Sequence, residues 1–335
     1  MVVRGRPAAI SRTPVAGPGA ARCRPRISHS SLDPRPTLYN AATVAEGSTT
    51  LRFLGAGGAF SRRYGTTCSL VTLPNGERWL IDCGRQAPDQ LWEVGLEWHQ
   101  IAGQLVTHVH GDHIFGLEDF GFQRYYQSAA GVPPVMLGGP RPKLIAHSAV
   151  QGEIWETLAA SMRYLKIDGN PRAGTLASYF EIIDPSSWEP PAQNPWRHSE
   201  TFAFSDARVI ARENEHVPGK PSCSFEFHVG GPGEPDKIAW WSGDSTVDAA
   251  FLASIEPRTT IYFHDCTFVD YPGQVHGAFS LLEKLPEEIR RKMVLMHHED
   301  DIERHRTQVE ALGFRVGMPG QVYDLCTGQM IAFEG

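Results

Sequence analysis

The sequence contains no Cys-x-x-Cys pair and no apolar run approaching the roughly 18 residues needed to span a bilayer. The lack of close cysteine pairs argues against a zinc site made of thiolates and against a disulfide framework. It fits a reducing compartment, so we expect a cytoplasmic protein without a membrane segment. The six scattered cysteines are Cys23, Cys68, Cys83, Cys223, Cys266 and Cys326.

The first 48 residues have no acidic residue before Asp33, but they contain seven arginines and many Pro, Ala, Gly and Ser residues. Because this composition cannot offset the entropy of ordering, we expect a disordered basic tail before a folded body over residues 49–335. An Arg-rich, acid-poor segment is also typical of an organelle transit peptide. A plain tail or a start codon assigned too far upstream is the favoured alternative to targeting. A secretory signal is not expected, because no apolar segment of about 7–15 residues follows the arginines.

The folded body lacks the excess of positive charge that nucleic-acid binding requires. Since the whole chain carries −7 and residues 1–50 carry +5, the remainder carries −12. Neutralisation of phosphates dominates affinity for nucleic acids, so an acidic body favours a small substrate over a polyanion such as tRNA. A local basic patch remains compatible with this balance.

The body alternates short apolar runs with turn signals and helical patterns, without a fixed repeat or an internal boundary. We therefore predict one α/β domain of two mixed β-sheets with helices outside, an αββα sandwich. The pattern predicts a surface loop over the Pro-rich residues 185–195. Strands are expected at 49–54, 67–73, 78–82, 179–183, 201–214, 223–229, 237–242, 260–263 and 293–296, helices at 88–95, 117–129, 279–285 and 302–312, and a strand–helix pair at 135–137 and 143–158.

Three histidines and one aspartate fall within six consecutive positions, directly after the apolar run at residues 104–106. Alternate side chains of an extended segment share a face, so His108 and His110 can reach one metal ion. A turn at Gly111 directs Asp112 and His113 toward a second position. Imidazole nitrogen and carboxylate oxygen suit Zn²⁺, with Mn²⁺ or Fe²⁺ as alternatives. The stretch is therefore predicted to bind metal, in preference to a polar loop whose histidines only donate hydrogen bonds.

Further candidate ligands stand where apolar strands end abruptly. His216 follows one such strand, Asp244 follows another within a Gly-Asp-Ser sequence, and the adjacent His297 and His298 follow a third. Taken alone, each is equally compatible with a turn or capping residue. The glycine-rich residues 55–58 do not match the Gly-x-Gly-x-x-Gly spacing of a dinucleotide fold, so a tight turn bordering the metal site is favoured over a phosphate cradle.

Taken together, these residues resemble the metallo-β-lactamase superfamily, whose pattern is His-x-His-x-Asp-His followed by His, Asp and His. The resemblance implies an αββα sandwich with two divalent cations, and it favours His297 over His298 because His297 comes first off the strand. It assigns one ion to His108, His110 and His216, the other to Asp112, His113 and His297, and a bridging role to Asp244. The bridging Asp244 points away from the lactam-hydrolysing branch, and the His-x-His pattern disfavours the flavodiiron branch.

Three segments are similar to ribonuclease Z and cyclic-nucleotide phosphodiesterases of that superfamily. They are the opening at residues 53–60, the Ser-Gly-Asp-Ser-Thr sequence around Asp244, and the His-Asp-Cys-Thr-Phe sequence around Asp265. The family motif has Glu and Ala where this chain has Asp265 and Cys266, and no Gly/Pro-rich arm for gripping tRNA is evident. A small phosphodiester is therefore preferred to an RNA end.

The resemblance implies a metal-dependent phosphodiesterase in which a hydroxide shared by two cations attacks phosphorus. Asp112 would orient this nucleophile and accept its proton. His276, oriented by Asp265, would protonate the leaving oxygen. A lactone, thioester or sulfate-ester hydrolase is the alternative on the same scaffold, and a homodimer is an open alternative for the oligomeric state. A non-catalytic relative is disfavoured, because degenerate members tend to lose ligands.

Overall fold

The computed structural model describes residues 47–129, 131–167, 170–189, 198–205, 207–230 and 236–334. Apart from its last two positions, the tail expected over residues 1–48 lies outside the described residues. So do residues 190–195 of the Pro-rich loop expected over residues 185–195, whereas its described residues 187–189 form a short strand and not a loop. No helix in the described part of the chain is long and apolar enough to cross a membrane.

The strands form two eight-stranded mixed sheets and one separate hairpin. They are β1 Thr50–Gly55, β2 Cys68–Thr72, β3 Arg78–Ile81, β4 Gly103–Val106, β5 Lys143–Ala146, β6 Tyr164–Ile167, β7 Asn170–Ala173, β8 Glu181–Ile182, β9 Ser187–Glu189, β10 Ser199–Phe204, β11 Ala207–Glu213, β12 Cys223–His228, β13 Ile238–Trp241, β14 Thr259–Asp265, β15 Met293–Met296, β16 Arg315–Val316, β17 Gln321–Asp324 and β18 Gln329–Phe333. The first sheet has the order β18-β17-β1-β2-β3-β4-β5-β8, and the second has the order β16-β15-β14-β13-β12-β11-β10-β9. The hairpin consists of β6 and β7.

Each sheet has a parallel half. In the first sheet β3, β4, β5 and β8 run parallel, and in the second β13, β14, β15 and β16 do so. Parallel neighbours end at the same edge of a sheet, so the residues that follow β3 and β4, or β13, β14 and β15, lie side by side. This arrangement gathers the polar residues that follow the apolar strands.

The helices cover the outer faces of the two sheets. They are α1 Ala87–Glu93, α2 Gly111–Ile114, α3 Leu117–Tyr126, α4 Ser148–Met162, α5 Leu176–Tyr179, α6 Ala249–Ile255, α7 Phe279–Leu282, α8 Glu287–Arg290 and α9 Arg306–Ala311. Residues of α6 to α9 pack in one buried cluster with Trp240 of β13 and Tyr262 of β14. The neighbouring Trp241 belongs to the other cluster, because alternate side chains of a strand point to opposite faces.

The main core lies between the two sheets. Phe53 of β1 contacts Trp241 and Phe263 of the second sheet, with ring centroids 6.0 and 5.6 Å apart. Tyr323 of β17 lies 5.5 Å from Phe263 on the same measure. These contacts show two face-packed sheets with helices outside, which confirms the predicted α/β sandwich.

Several predicted elements differ in detail. The predicted strand at 135–137 is a 3₁₀-helix between prolines and a left-handed Gly138, because this short run has no strand partner. The predicted strand at 201–214 is two strands, β10 and β11, reversing after Ser205, whose φ is +54°. Tyr179 ends helix α5, so the strand predicted at 179–183 is reduced to the two residues of β8.

Candidate metal centre

The candidate site is built from residues that directly follow strands of both sheets. In the first sheet Asp82 follows β3, and the segment from Thr107 to His113 follows β4. In the second sheet Asp244 follows β13 and His297 follows β15, while Asp265 is the last residue of β14. His216 lies between β11 and β12. The fold therefore brings residues far apart in sequence to one edge of the sandwich.

One group consists of His108, His110, His216 and Asp244. Nδ1 of His110 lies 2.9 Å from Nε2 of His108 and 3.1 Å from Nε2 of His216. Oδ2 of Asp244 lies 3.8 Å from the His108 nitrogen and 3.9 Å from the His216 nitrogen. Three ring nitrogens and one carboxylate oxygen thus converge on a single point.

A second group consists of Asp112, His113, His297 and again Asp244. Oδ2 of Asp112 lies 3.2 Å from Nε2 of His113 and 3.3 Å from Nε2 of His297. The carboxylate of Asp244 presents Oδ1 to His113 and Oδ2 to His297, both at 3.3 Å. Asp244 belongs to both groups, so its side chain stands between two adjacent four-donor sites.

These donors fit divalent cations. Two nitrogen ligands about 2.05 Å from a tetrahedral zinc ion lie about 3.3 Å apart, close to the nitrogen separations in the first group. Nε2 of His113 is buried and has no hydrogen-bond partner among the described residues, although it points into the second group. The structure thus brings together all seven residues predicted as ligands. Their partition into two groups sharing Asp244 matches the predicted assignment, and metal ligation itself stays a prediction.

The charged side chains of the site shift the pKa values of one another, and the direction differs between the histidines and the carboxylates. Burial opposes a charge on His113 and His297, but the neighbouring carboxylates, Asp244 foremost, outweigh burial and raise both pKa values. Burial would raise the pKa values of Asp112 and Asp244, yet His113 and His297 together outweigh it and both fall. Burial, and then His216, lowers the pKa of His110 to about 4. The site therefore favours charged carboxylates and a neutral His110, the protonation states that bind cations.

A third group joins His276 to the site through Asp265. Nδ1 of His276 donates to Oδ2 of Asp265 over 2.8 Å, and the backbone amide of Ser245 donates to the same oxygen over 3.1 Å. The other oxygen of Asp265 lies 3.4 Å from Nδ1 of His297. Asp265 is fully buried, whereas His276 is partly exposed at the mouth of the site. The predicted general acid His276 and its predicted orienting residue Asp265 are thus adjacent, with the His276 ring open to a substrate.

Asp82 is the principal site residue that sequence analysis missed. Its buried carboxylate accepts hydrogen bonds from Nδ1 of His113 over 2.8 Å and from the amide of Thr107 over 2.8 Å. The Thr107 hydroxyl donates to Asp82 as well, and it lies 3.0 Å from Nδ1 of His108. These bonds direct the Nε2 lone pairs of both histidines into the site. The available signal was an aspartate directly after an apolar strand, the same signal that identified Asp244.

The two adjacent histidines after β15 point in different directions. His297 has a φ of +56°, and its amide donates to the carbonyl of Ala56 over 2.7 Å. His298 is buried, with Nε2 2.9 Å from the carbonyl of Gly317, and it belongs to none of the three groups. The left-handed turn at His297 separates the two rings, so the geometry favours the expected His297.

The glycine-rich loop at residues 55–58 lies directly against the site. A Cβ on Gly58 would stand 3.0 Å from the carbonyl oxygen of His297 and 3.4 Å from two atoms of its ring. Gly58 also donates from its amide to the carbonyl of His298 over 2.9 Å. The absence of a side chain at Gly58 lets this loop hold His297 in place, and the loop therefore borders the site as a tight turn.

A cavity of about 240 Å³ opens beside the second and third groups. Its lining includes His276 and His297 of the site, residues 58–61 of the glycine-rich loop, Thr267 and Glu299. The volume lies below the roughly 300–1,000 Å³ of pockets for drug-sized ligands, so it fits a small substrate.

Comparisons with known proteins give both a family and a fold. The family model described as Anti-Pycsar protein Apyc1 matches residues 49–318. The chain is 29% identical to the Anti-Pycsar protein Apyc1 of Bacillus phage BSP38 over 286 residues, which cover 83% of this chain and 99% of that protein.

Two solved structures share the fold. The metallo-β-lactamase fold protein YhfI of Bacillus subtilis superposes with a TM-score of 0.60 and 14% identity, covering 82% of this chain and 99% of its own. Human tRNase Z, short form, superposes with a TM-score of 0.56 and 20% identity, with the same coverages. These matches confirm the predicted metallo-β-lactamase fold.

Proposed function

Because the chain belongs to the family described as Anti-Pycsar protein Apyc1, we propose that it is a two-metal phosphodiesterase acting on a small cyclic nucleotide. The family and the fold make it a metal-dependent hydrolase. The observation that carries the finer proposal is the sharing of Asp244 by two four-donor groups, with His276 standing next to them. A shared carboxylate would hold two cations close enough to act on one phosphodiester.

Seven residues would hold the two cations. His108, His110 and His216 would bind one, Asp112, His113 and His297 would bind the other, and Asp244 would be shared by both. Bound there, two divalent cations supply a water of lowered pKa and stabilise the negative charge that builds up at phosphorus. Asp112 stands at the second group, where its carboxylate orients the attacking water and accepts its proton.

His276 acts as the general acid. In the protonated imidazolium form Nδ1 donates to Asp265 and Nε2 also carries a proton, which passes to the leaving ribose oxygen as the P–O bond breaks and leaves a neutral ring. Burial opposes a charge on His276, but Asp265 outweighs burial and raises its pKa. The raised pKa keeps this proton available near neutral pH. Asp265 also contacts His297, so it keeps the acid in register with the second group.

The size and charge of the site support a small substrate. The cavity beside His276 has a volume of only about 240 Å³, and two acidic side chains, Glu299 and Asp300, line its wall. A long polyanion such as tRNA would meet both this wall and a body of net charge −12. An RNA end is therefore the weaker candidate.

The proposal is tested by substrate panels on the purified protein loaded with zinc or manganese. We expect hydrolysis of cyclic mononucleotides and of bis-p-nitrophenyl phosphate, with a nucleoside monophosphate as the product of the former. A lactone, thioester and sulfate-ester panel is run in parallel. Activity on any of these with none on phosphodiesters would replace the proposed function by the alternative hydrolase. The variant Asp244→Ala is the control, because it removes the donor shared by both groups.

A further inference from the structure

Phe60 is a large apolar side chain held almost entirely in solvent. It is 89% exposed, more than the other large hydrophobic side chains that the structure describes as exposed. Isolated exposed hydrophobic residues are common on protein surfaces and need no explanation by themselves. Phe60 differs from them because its backbone is firmly held and because it lines the cavity beside the candidate metal centre.

The loop that carries Phe60 is anchored on both sides of this residue in the sequence. After Phe60, the carboxylate of Asp300 accepts hydrogen bonds from the Ser61 hydroxyl over 2.6 Å, from the Arg62 amide over 2.9 Å and from the Arg63 amide over 3.1 Å. Before Phe60, Nη2 of Arg85 donates to the carbonyl of Ala59 over 2.7 Å. The exposed position of Phe60 is therefore fixed by the fold.

The position of the Phe60 ring relative to the reaction centre indicates which part of a substrate it would contact. His276, His297 and Phe60 line the same cavity, and the 89% exposure of Phe60 puts its ring at the solvent-facing lip. A cyclic mononucleotide with its phosphodiester at His276 would direct its base along this cavity, away from the metal ligands. An aromatic ring at the lip offers a flat apolar face to that base.

We infer that Phe60 is the nucleobase-stacking residue of this site, an inference that rests on the proposed function. Stacking on an aromatic side chain accepts every base, because every base has a π-face. We therefore expect Phe60 to strengthen binding of purine and pyrimidine cyclic nucleotides alike. Because stacking occurs away from phosphorus, the ring acts on substrate binding and leaves the chemical step unchanged.

The test compares Phe60→Ala, Phe60→Leu and Phe60→Trp in steady-state hydrolysis of cyclic mononucleotides. We expect Phe60→Ala to raise KM by about 5- to 150-fold with little change in kcat, the range that corresponds to loss of one stacked base. Phe60→Trp should retain a KM close to that of the unchanged protein. Phe60→Leu keeps apolar area without a ring, so it should resemble Phe60→Ala. The cyclic phosphodiester of 1,3-propanediol has no base, and its hydrolysis should not respond to any of the three changes.

A matched control is Phe333→Ala, since Phe333 is a 64% exposed phenylalanine of β18 that does not line the cavity. Binding of a hydrolysis-resistant cyclic nucleotide phosphorothioate, measured by calorimetry, separates the two proposals. Binding weakened by Phe60→Ala supports the stacking role even where turnover is absent, and absent turnover overturns only the proposed function. Equal binding by Phe60→Ala and the unchanged protein, or no binding by either, overturns the stacking role. A Phe60→Ala change that alters the mass in solution but not KM would assign the ring to contact with a second copy and also overturn it.

Discussion

Replacing Asp82 by asparagine should selectively weaken cation binding at the group formed by Asp112, His113 and His297. The substitution is close to isosteric, and asparagine tolerates the left-handed backbone at this position, where φ is +57°. The amide oxygen of asparagine can still accept from the amide and hydroxyl of Thr107. Its NH₂ group then faces Nδ1 of His113, which can no longer donate to it. His113 is driven to the tautomer with its proton on Nε2, the atom that points into the second group.

The expected magnitude follows from the single bond that is lost. A hydrogen bond to a charged group contributes about 1.5–3 kcal/mol, and the 2.8 Å bond from His113 to Asp82 is of this kind. Its loss corresponds to an increase of about 10- to 150-fold in the dissociation constant of the second ion. This range agrees with the roughly 10- to 100-fold cost seen when partners of metal-binding histidines are removed.

The measurement is a zinc competition titration against a chromophoric chelator, with metal content checked by mass spectrometry. In a His216→Ala background, in which the first group binds zinc weakly, adding Asp82→Asn should lower the zinc affinity of the second group. In a His297→Ala background, in which the second group is already impaired, adding Asp82→Asn should change zinc affinity much less. Thr107→Val is the matched control, since it removes a hydroxyl beside His108 and leaves the bond between His113 and Asp82 in place. Two ions bound by Asp82→Asn with unchanged affinity would refute the argument.

Three other changes test the rest of the site. His276→Ala should lower kcat by about 10²- to 10⁴-fold and remove the decline of rate at alkaline pH, with two ions still bound by mass spectrometry; a loss of metal would show that His276 is a ligand. Gly58→Ala places a Cβ 3.0 Å from the carbonyl of His297, so zinc affinity of the second group should fall, and unchanged affinity would show that the loop yields freely. Since His113 and His297 have pKa values raised above 6.5, their contribution to stability without metal is complete below that pH and is lost as pH rises through the raised values. Zinc must displace those protons, so its affinity and the gain in melting temperature over chelator-treated protein should both increase with pH, and a gain that falls with pH would contradict the assignment.

The residues of the site were predictable where a short segment or a strand end carried the signal. His108, His110, Asp112 and His113 lie in one short segment, so their spacing can be recognised without knowledge of the fold. His216, Asp244 and His297 were found because each follows an apolar strand, and the edge of a parallel sheet is where such residues meet. The choice of His297 over His298 was made from the sequence, because His297 comes first off the strand, and the left-handed turn at His297 supplies the structural reason, since it separates the two rings.

Asp82 shows why the remaining information could not be read from the sequence alone. Asp82 also follows an apolar strand, but its role in the site depends on β3 and β4 being parallel neighbours. This pairing brings Asp82 to Thr107, 25 positions further along the chain. The misassigned elements have a related cause. The run at 135–137 is apolar enough for a strand, and only the absence of a partner strand decides otherwise. Similarly, the reversal after Ser205 uses a left-handed serine in place of the Gly or Asn that signals a hairpin.

Both metal groups draw ligands from both sheets, and this has a consequence for how the site forms. His108, His110, Asp112 and His113 follow β4 of the first sheet, whereas Asp244 and His297 follow strands of the second. The two sheets also meet directly beside the site, where the amide of Cys223 donates to the carbonyl of Thr107 over 3.0 Å. Neither sheet alone can complete either group. Cation binding at these groups would therefore stabilise the packing of one sheet on the other, and the motif after β4 supplies only part of each group.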